Sequence, residues 1–265
     1  MLKDITLGQY FPGDTVVHRL DPRTKILLVV MYIVGLFQAN GWLGYALVTL
    51  MTGLCMALSK IRPSAMFKGV KPMLFIIVLT ALLNIFYTAG TPILPGWIIT
   101  WEGIVRAVQM ILRIVLLISG TFLLTYTTSP IALTDGLELL MNPLKKLKVP
   151  VHEMTMMMSM ALRFIPTLIS ETDKIMSAQK ARGADFETGS LAHRAKALLP
   201  ILVPLFVSAF KRADELAVAM ESRCYHGGEG RTRMKQLRYQ TRDWLALLSG
   251  ALFLTLMFIL KRFGL

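Results

Sequence analysis

Acidic residues are scarce in this chain of 265 residues, which carries 16 Asp and Glu against 29 Lys and Arg for a formal net charge of +13. None occurs from Pro22 to Trp101. Charged residues of both signs make up 17% of the sequence and hydrophobic residues 54%, with a mean hydropathy of +0.57. A soluble surface needs roughly a quarter charged residues, so the shortage excludes a soluble domain. The basic excess does not read as nucleic-acid binding either, because it sits in short loops between long apolar runs. No Asp or Glu falls inside those runs. Ion-driven carriers usually hold such a group near the bilayer midplane, so that class is disfavoured.

Other shortages narrow the chemistry. Cys55 lies in an apolar run and Cys224 in a polar one, which excludes a disulfide framework or a CxxC site. His18, His152, His193 and His226 are scattered without metal-ligand spacing, and there is no H-E-x-x-H motif. No phosphate-binding G-x-x-x-x-G-K-[ST] loop occurs, so the chain is not expected to hydrolyse ATP alone. The glycine-rich stretch 227–232 lacks the Lys-hydroxyl pair and follows a helical pattern, which reads as a helix terminus. A membrane enzyme would need a metal-binding acid cluster, for which Asp173, Asp185 and Glu187 are the available set. No cleavable leader is expected, because the first apolar run starts only at Ile26, after Asp14, Arg19, Asp21, Arg23 and Lys25.

What the sequence does contain is five apolar runs, at 26–39, 42–58, 73–87, 104–126 and 244–260. Roughly 17–25 residues cross a bilayer as a helix, so the first and third must borrow flanking residues. The expected fold class is an all-α integral membrane protein with about five transmembrane helices. Residues 1–127 form an N-terminal membrane region of four helices, 128–243 a cytoplasmic region, and 244–265 the final span. The loop between the second and third runs carries Lys60, Arg62, Lys68 and Lys71, whereas the links at 38–41 and 88–103 carry no Lys or Arg. The positive-inside rule therefore puts that loop and the N-terminus in the cytoplasm, with Trp97 and Trp101 at the outer interface. Lys261 and Arg262 at the far end count against this orientation.

Two further apolar stretches, 154–169 and 198–210, are broken by Arg163 and Pro166 and by Pro200 and Pro204. Spanning by both would export Lys174, Lys180, Arg182, Arg194 and Lys196, so the region is placed in the cytoplasm or at its membrane face. Leu133, Leu137, Leu140, Leu144 and Leu147 predict an amphipathic helix on the inner leaflet, kinked at Pro143 and ending in Lys145, Lys146 and Lys148; an ordinary bundle helix satisfies the same spacing. Inside the fourth run, Arg106 can pair with Glu102, and Arg113 faces either a partner protein or neighbouring carbonyls. Met154, Met156, Met157, Met158 and Met160 crowd one helix-length stretch, either filling core gaps or forming an adaptable partner surface.

Two segments carry the functional reading. In Ala181-Arg182-Gly183 and in Ser222-Arg223-Cys224, an Arg stands between small residues near the end of a helical stretch. Such an Arg can bond the last carbonyls of its helix. Its small neighbours also leave the planar guanidinium free to reach carboxylates or carbonyls in another protein's groove. Two such tips on one polypeptide suit a partner that presents two equivalent grooves.

With Thr128-Ser129-Pro130, Ala161-Leu162-Arg163-Phe164-Ile165-Pro166 and the 227–232 stretch, these segments resemble the transmembrane coupling (T) component of energy-coupling factor transporters, ABC-type importers of vitamins and trace metals. The resemblance is strongest over 128–234. It implies a cytoplasmic set of long coupling helices whose arginine tips dock on two ABC-type ATPase subunits, with Ala181, Arg182, Gly183, Ser222, Arg223 and Cys224 as the docking residues. Ser222 and Cys224 depart from the Ala and Gly of the family pattern, but both are small. It further implies a separate substrate-binding membrane S component, for which the methionine surface is the candidate interface. The chain itself would then be no enzyme and bind no cofactor, ATP and magnesium belonging to the partner subunits. It would be a multi-pass protein of the bacterial plasma membrane, in contact with the lipid bilayer and with no nucleic acid. The rival is a conventional ABC importer permease that forms the substrate pathway itself, whose coupling loop Ala178, Gly183 and Leu199-Pro200 superficially match.

Overall fold

The computed structural model describes residues 10–92, 99–186, 190–227 and 236–263. The described residues hold nine α-helices: α1 (Pro22–Gln38), α2 (Trp42–Ser59), α3 (Pro63–Val70), α4 (Leu74–Tyr87), α5 (Trp101–Thr127), α6 (Pro130–Met141), α7 (Val151–Ala181), α8 (Leu191–Glu221) and α9 (Thr241–Arg262). No strand forms among them, only an isolated bridge between Pro92 and Thr100. The protein is an all-α membrane protein. Its chain divides into two compact units, one made of residues 8–140 and 236–265 and the other of residues 141–235.

Local chemistry sets the helix ends in the first unit. Pro22 opens α1 and the Asp21 carboxylate accepts the Arg23 N–H, the pairing expected of a capped N-terminus. Ser129 does the same for α6, its hydroxyl accepting the Ala132 N–H ahead of Pro130. Pro72 has no N–H to continue an α-turn, and the chain passes from α3 to α4 through a 3-10 turn at Lys71–Met73 without losing helical direction. The third apolar run is thereby lengthened to Pro63–Tyr87, 25 residues.

Four segments are long and apolar enough to cross a membrane: α2, the α3–α4 run, α5 and α9. The remaining expected span, α1, has 17 residues, about 25 Å at 1.5 Å per residue, the lower limit for crossing. The leucine repeat behaves differently from expectation. Its α-helix ends at Met141, and Leu144 and Leu147 fall in a 3-10 turn, Asn142–Leu147, that opens at Pro143.

Helix directions follow from the contacts. The Asp243 carboxylate accepts the Asp21 N–H at 2.8 Å, and Lys261 Nζ donates to Gln38 Oε1 at 2.6 Å. These bonds join like ends, so α1 and α9 run parallel and begin at the same face, and the Lys261 cation has a polar partner at the other. Lys25 donates to the Thr127 carbonyl, and Arg113 to the Ala39 carbonyl at 2.9 Å, which makes α5 antiparallel to α1. Arg113 thus serves the neighbouring-carbonyl role. Glu102 turns instead to the N–H and hydroxyl of Thr91. Leu36, Tyr45, Val48, Leu116, Phe253 and Met257 form the core between these helices. Gly120 is required there, because a Cβ would collide with the Tyr32 ring, whose hydroxyl donates to the Leu116 carbonyl.

Candidate functional site

The second unit is built on α7 and α8, each 31 residues long, about 46 Å at 1.5 Å per residue. Both pass through proline, at Pro166 in α7 and at Pro200 and Pro204 in α8. A proline inside a helix strands the carbonyl four residues earlier. One such carbonyl, that of Pro200, is met from the other helix by Gln179 Nε2 at 3.4 Å. The prolines that break the apolar runs in the sequence therefore do not break the helices.

Three contacts fix the pairing of the two helices. Tyr225 Oη, just past α8, reaches Met156 Sδ at 3.2 Å near the start of α7. The Glu171 carboxylate accepts from Ser208 Oγ at 2.6 Å and from Arg212 at 3.0 Å in the middle. Gln179 meets Pro200 near the end of α7. The numbers rise on one helix as they fall on the other, so the pair is antiparallel. The Ser208 hydrogen bond, with a smaller contribution from the Arg212 charge, holds the Glu171 carboxyl below the ordinary carboxylate range.

The two arginine segments end these helices in the same way. At the end of α7 the Arg182 N–H bonds the Ala178 and Gln179 carbonyls, Gly183 bonds Lys180, and Ala184 reaches back to Gln179. At the end of α8 the Arg223 N–H bonds Met220, Cys224 bonds Glu221, and Tyr225 reaches back to Met220. Each is a Schellman-type stop with one left-handed residue: Gly183 at φ +87 and Cys224 at φ +52. Gly183 answers the requirement without cost, whereas Cys224 carries a Cβ into a region that L-residues avoid.

Backbone N–H groups thus satisfy most of the terminal carbonyls, and the arginine side chains take no part in the capping. Arg182 and Arg223 are exposed and make no ion pair or side-chain hydrogen bond among the described residues. Ala181, Gly183, Ser222 and Cys224 beside them are exposed too. Because the helices are antiparallel, the tips lie at opposite ends of the pair. With Arg223 beside the level of residue 157, 25 positions of α7 separate them, roughly 37 Å along a straight helix.

The methionines divide by face. Met154, Met157 and Met158 are exposed, while Met156 and Met160 are half-buried, Met156 under Tyr225. Sequence reasoning missed two features. One is an exposed apolar face of α8, where Leu199, Val203, Phe206 and Phe210 recur at helical spacing; that spacing was readable in the broken 198–210 run. The other is the Glu171–Arg212 ion pair, whose partners stand 41 residues apart on two different helices, with nothing local in the sequence to announce the pairing. Residues 228–232 of the glycine-rich stretch, Trp97 and Glu187 lie outside the described residues. Among the described residues, no group of three or more His, Cys, Asp or Glu is arranged to hold a metal ion.

Residues 13–234 match the family model CbiQ, described as a cobalt transport protein. Three curated relatives are each named energy-coupling factor transporter transmembrane protein. The relative from Clostridium kluyveri is 55% identical over 99% of this chain and 98% of its own. That from Bacillus subtilis is 49% identical over 98% of this chain and all of its own, and that from Lactococcus lactis 46% identical over 98% of each. The chain belongs to this family. Energy-coupling factor transmembrane proteins work in membrane transport, and the conventional-permease alternative finds no support. The Leu199-Pro200 pair that its coupling loop would need lies inside α8.

Proposed function

We propose that α7 and α8 are the coupling helices of an energy-coupling factor importer, and that Arg182 and Arg223 each dock on one of two ABC-type ATPase subunits. The observation that carries this reading is the pair of guanidinium groups, unpartnered among the described residues, on helix ends that backbone bonds already close. A planar, permanently charged fork held on a rigid stop suits bidentate bonding to carboxylates or carbonyls of a groove. Two tips at opposite ends of one antiparallel pair suit two equivalent grooves on a pair of ATPases. In this reading ATP and magnesium are bound by the partners, and the chain transmits motion without catalysing a reaction.

A substrate-binding S component is the second partner. The exposed Met154, Met157 and Met158 face and the α8 face at Leu199, Val203, Phe206 and Phe210 offer apolar area that this chain leaves uncovered. Methionine repacks against surfaces of different shape. The N-terminus and the Lys60–Lys71 loop face the cytoplasm of a bacterial cell. Co-purification tests the docking. The Arg182→Glu/Arg223→Glu double variant is expected to reach the membrane at normal levels yet to lose both ATPases and all uptake. Retention of the ATPases with wild-type uptake overturns the docking role.

A further inference from the structure

A cavity of about 990 Å3 opens in the first unit between residues 11–18 and the turn from α2 into α3. Lys60, Arg62 and Lys68 line it, and none of the three side chains has an ion-pair or hydrogen-bond partner among the described residues. The one acid on its wall, Asp14, is paired with Arg19 at 3.8 Å. The cavity's positive charge is therefore unanswered. Its wall is held in place: the Phe11 N–H bonds the Tyr126 carbonyl at 3.0 Å and the two rings pack edge-on. Lys60 takes a left-handed conformation, φ +55, where glycine would be free of strain. A cation is thus kept at the rim despite a backbone cost. The rest of the lining is apolar, from Phe11, Val16, Leu58 and Ile61, and Val16 and Leu58 remain about half exposed or more.

We propose that this cavity binds an anionic glycerophospholipid, with its phosphodiester against Lys60, Arg62 and Lys68 and its glycerol and first acyl carbons against the apolar wall. Charge complementarity selects an anion. The cavity sits where the apolar length of α2 ends, at the level of a membrane headgroup layer. A free inorganic ion would leave the apolar wall uncovered. Basic pockets beside membrane helices hold headgroups for these reasons. Assignment to the inner leaflet rests on the orientation proposed above; the lipid site itself does not, nor does it depend on ATPase docking.

The test is native mass spectrometry of the full-length chain released from nanodiscs of phosphatidylcholine with a minor fraction of phosphatidylglycerol. Expected is saturable retention of phosphatidylglycerol, lowered roughly hundredfold in the Lys60→Gln/Arg62→Gln/Lys68→Gln variant, since three cations are removed. Because those charges also orient the chain, Ala57→Trp, which sets a bulky ring into the cavity wall and leaves them in place, is the second variant and should weaken retention of the lipid. Lys145→Gln/Lys146→Gln, distant in sequence, should retain it. Equal retention of phosphatidylcholine, unchanged binding in Ala57→Trp, or an equal loss in Lys145→Gln/Lys146→Gln overturns the proposal. Displacement of the lipid by millimolar inorganic phosphate alone also overturns it, in favour of a soluble phosphate site.

Discussion

The unit holding the membrane helices and the unit holding the two arginine tips follow opposite packing rules. In the first, Leu36, Val48 and Met257 are fully buried, and glycines admit aromatic rings that any side chain would push away. In the second, the side chains buried among the described residues are few, Val151, Thr155 and Ile201. Two 31-residue helices are joined there by isolated polar contacts, and Phe206 and Phe210 are more than half exposed. A unit that fills its own core carries its stability internally. One that leaves long apolar faces open takes its stability from what covers it, and polar cross-links let its helices shift where a packed core would resist. The contrast agrees with the reading proposed above, in which the arginine-tipped unit docks on partner proteins.

The sharpest way to break that contrast is to overpack the first unit and truncate an exposed side chain in the second. Gly120→Leu drives a side chain into the Tyr32 ring and dislodges its bonds to Leu116 and Thr52. It should cost about 3 kcal/mol or more, read as a collapse of thermal stability in detergent. Phe206→Ala in α8 should change the isolated chain by less than about 0.5 kcal/mol, yet weaken recovery of the membrane partner. Comparable losses in the isolated chain from both changes would erase the distinction.

Next in size is the clamp at the shared starting face of α1 and α9. Asp243 is 1% exposed and accepts the N–H groups of Asp21 and Gln240. Asp243→Ala leaves both donors unmet and should cost about 2–3 kcal/mol, again measured by thermal unfolding. Asp243→Asn, which keeps an acceptor, should recover part of the loss.

Much of this architecture is legible in the amino-acid sequence. The lengths of α2 and α9 are written in apolar runs free of charge, that of α5 in a run that carries only Arg106 and Arg113, and the position of Arg182 at a helix end in the glycine that follows it. What escapes depends on partners far apart in the chain. Nothing local announces that Asp243 caps the entry to α1, or that Gln179 rescues a carbonyl orphaned by Pro204. The α3–α4 run is hidden because Lys68, Lys71 and Pro72 look like a loop, although a 3-10 turn carries the helix through them. The leucine repeat misleads in the opposite sense, since its spacing runs on past Pro143 while the α-helix stops at Met141.

The two helix tips permit a smaller test inside the coupling unit. They share one backbone stop but differ at its left-handed residue, so opposite substitutions should have opposite signs. Gly183→Ala introduces a Cβ at φ +87 and should destabilise its tip by about 1 kcal/mol, whereas Cys224→Gly relieves one and should stabilise its own by a similar amount. Hydrogen exchange at the Ala184 and Tyr225 amides, the last donors of each stop, measures both. Two effects of the same sign would mean that the tips are not structurally equivalent.

The smallest expected effect concerns the ion pair that, among the described residues, ties the middle of α7 to the middle of α8. Glu171 is held by the Ser208 hydroxyl and the Arg212 guanidinium at a surface where ion pairs contribute little to stability. Its folded-state pKa is lowered, so its contribution is fully present above the ordinary carboxylate value and is lost only as pH falls through the lower folded one. Between about pH 5 and 8 the tie should therefore be constant. Glu171→Gln should remove that acid-range dependence while leaving the melting temperature near neutral pH almost unchanged. Its consequence should appear in coupling: with the central tie weakened, ATP turnover by the assembled complex should fall less than uptake does. Exchange of the two charges, Glu171→Arg with Arg212→Glu, should restore the ratio. An equal loss of turnover and uptake in Glu171→Gln would place the ion pair with the scaffold instead of with the moving parts.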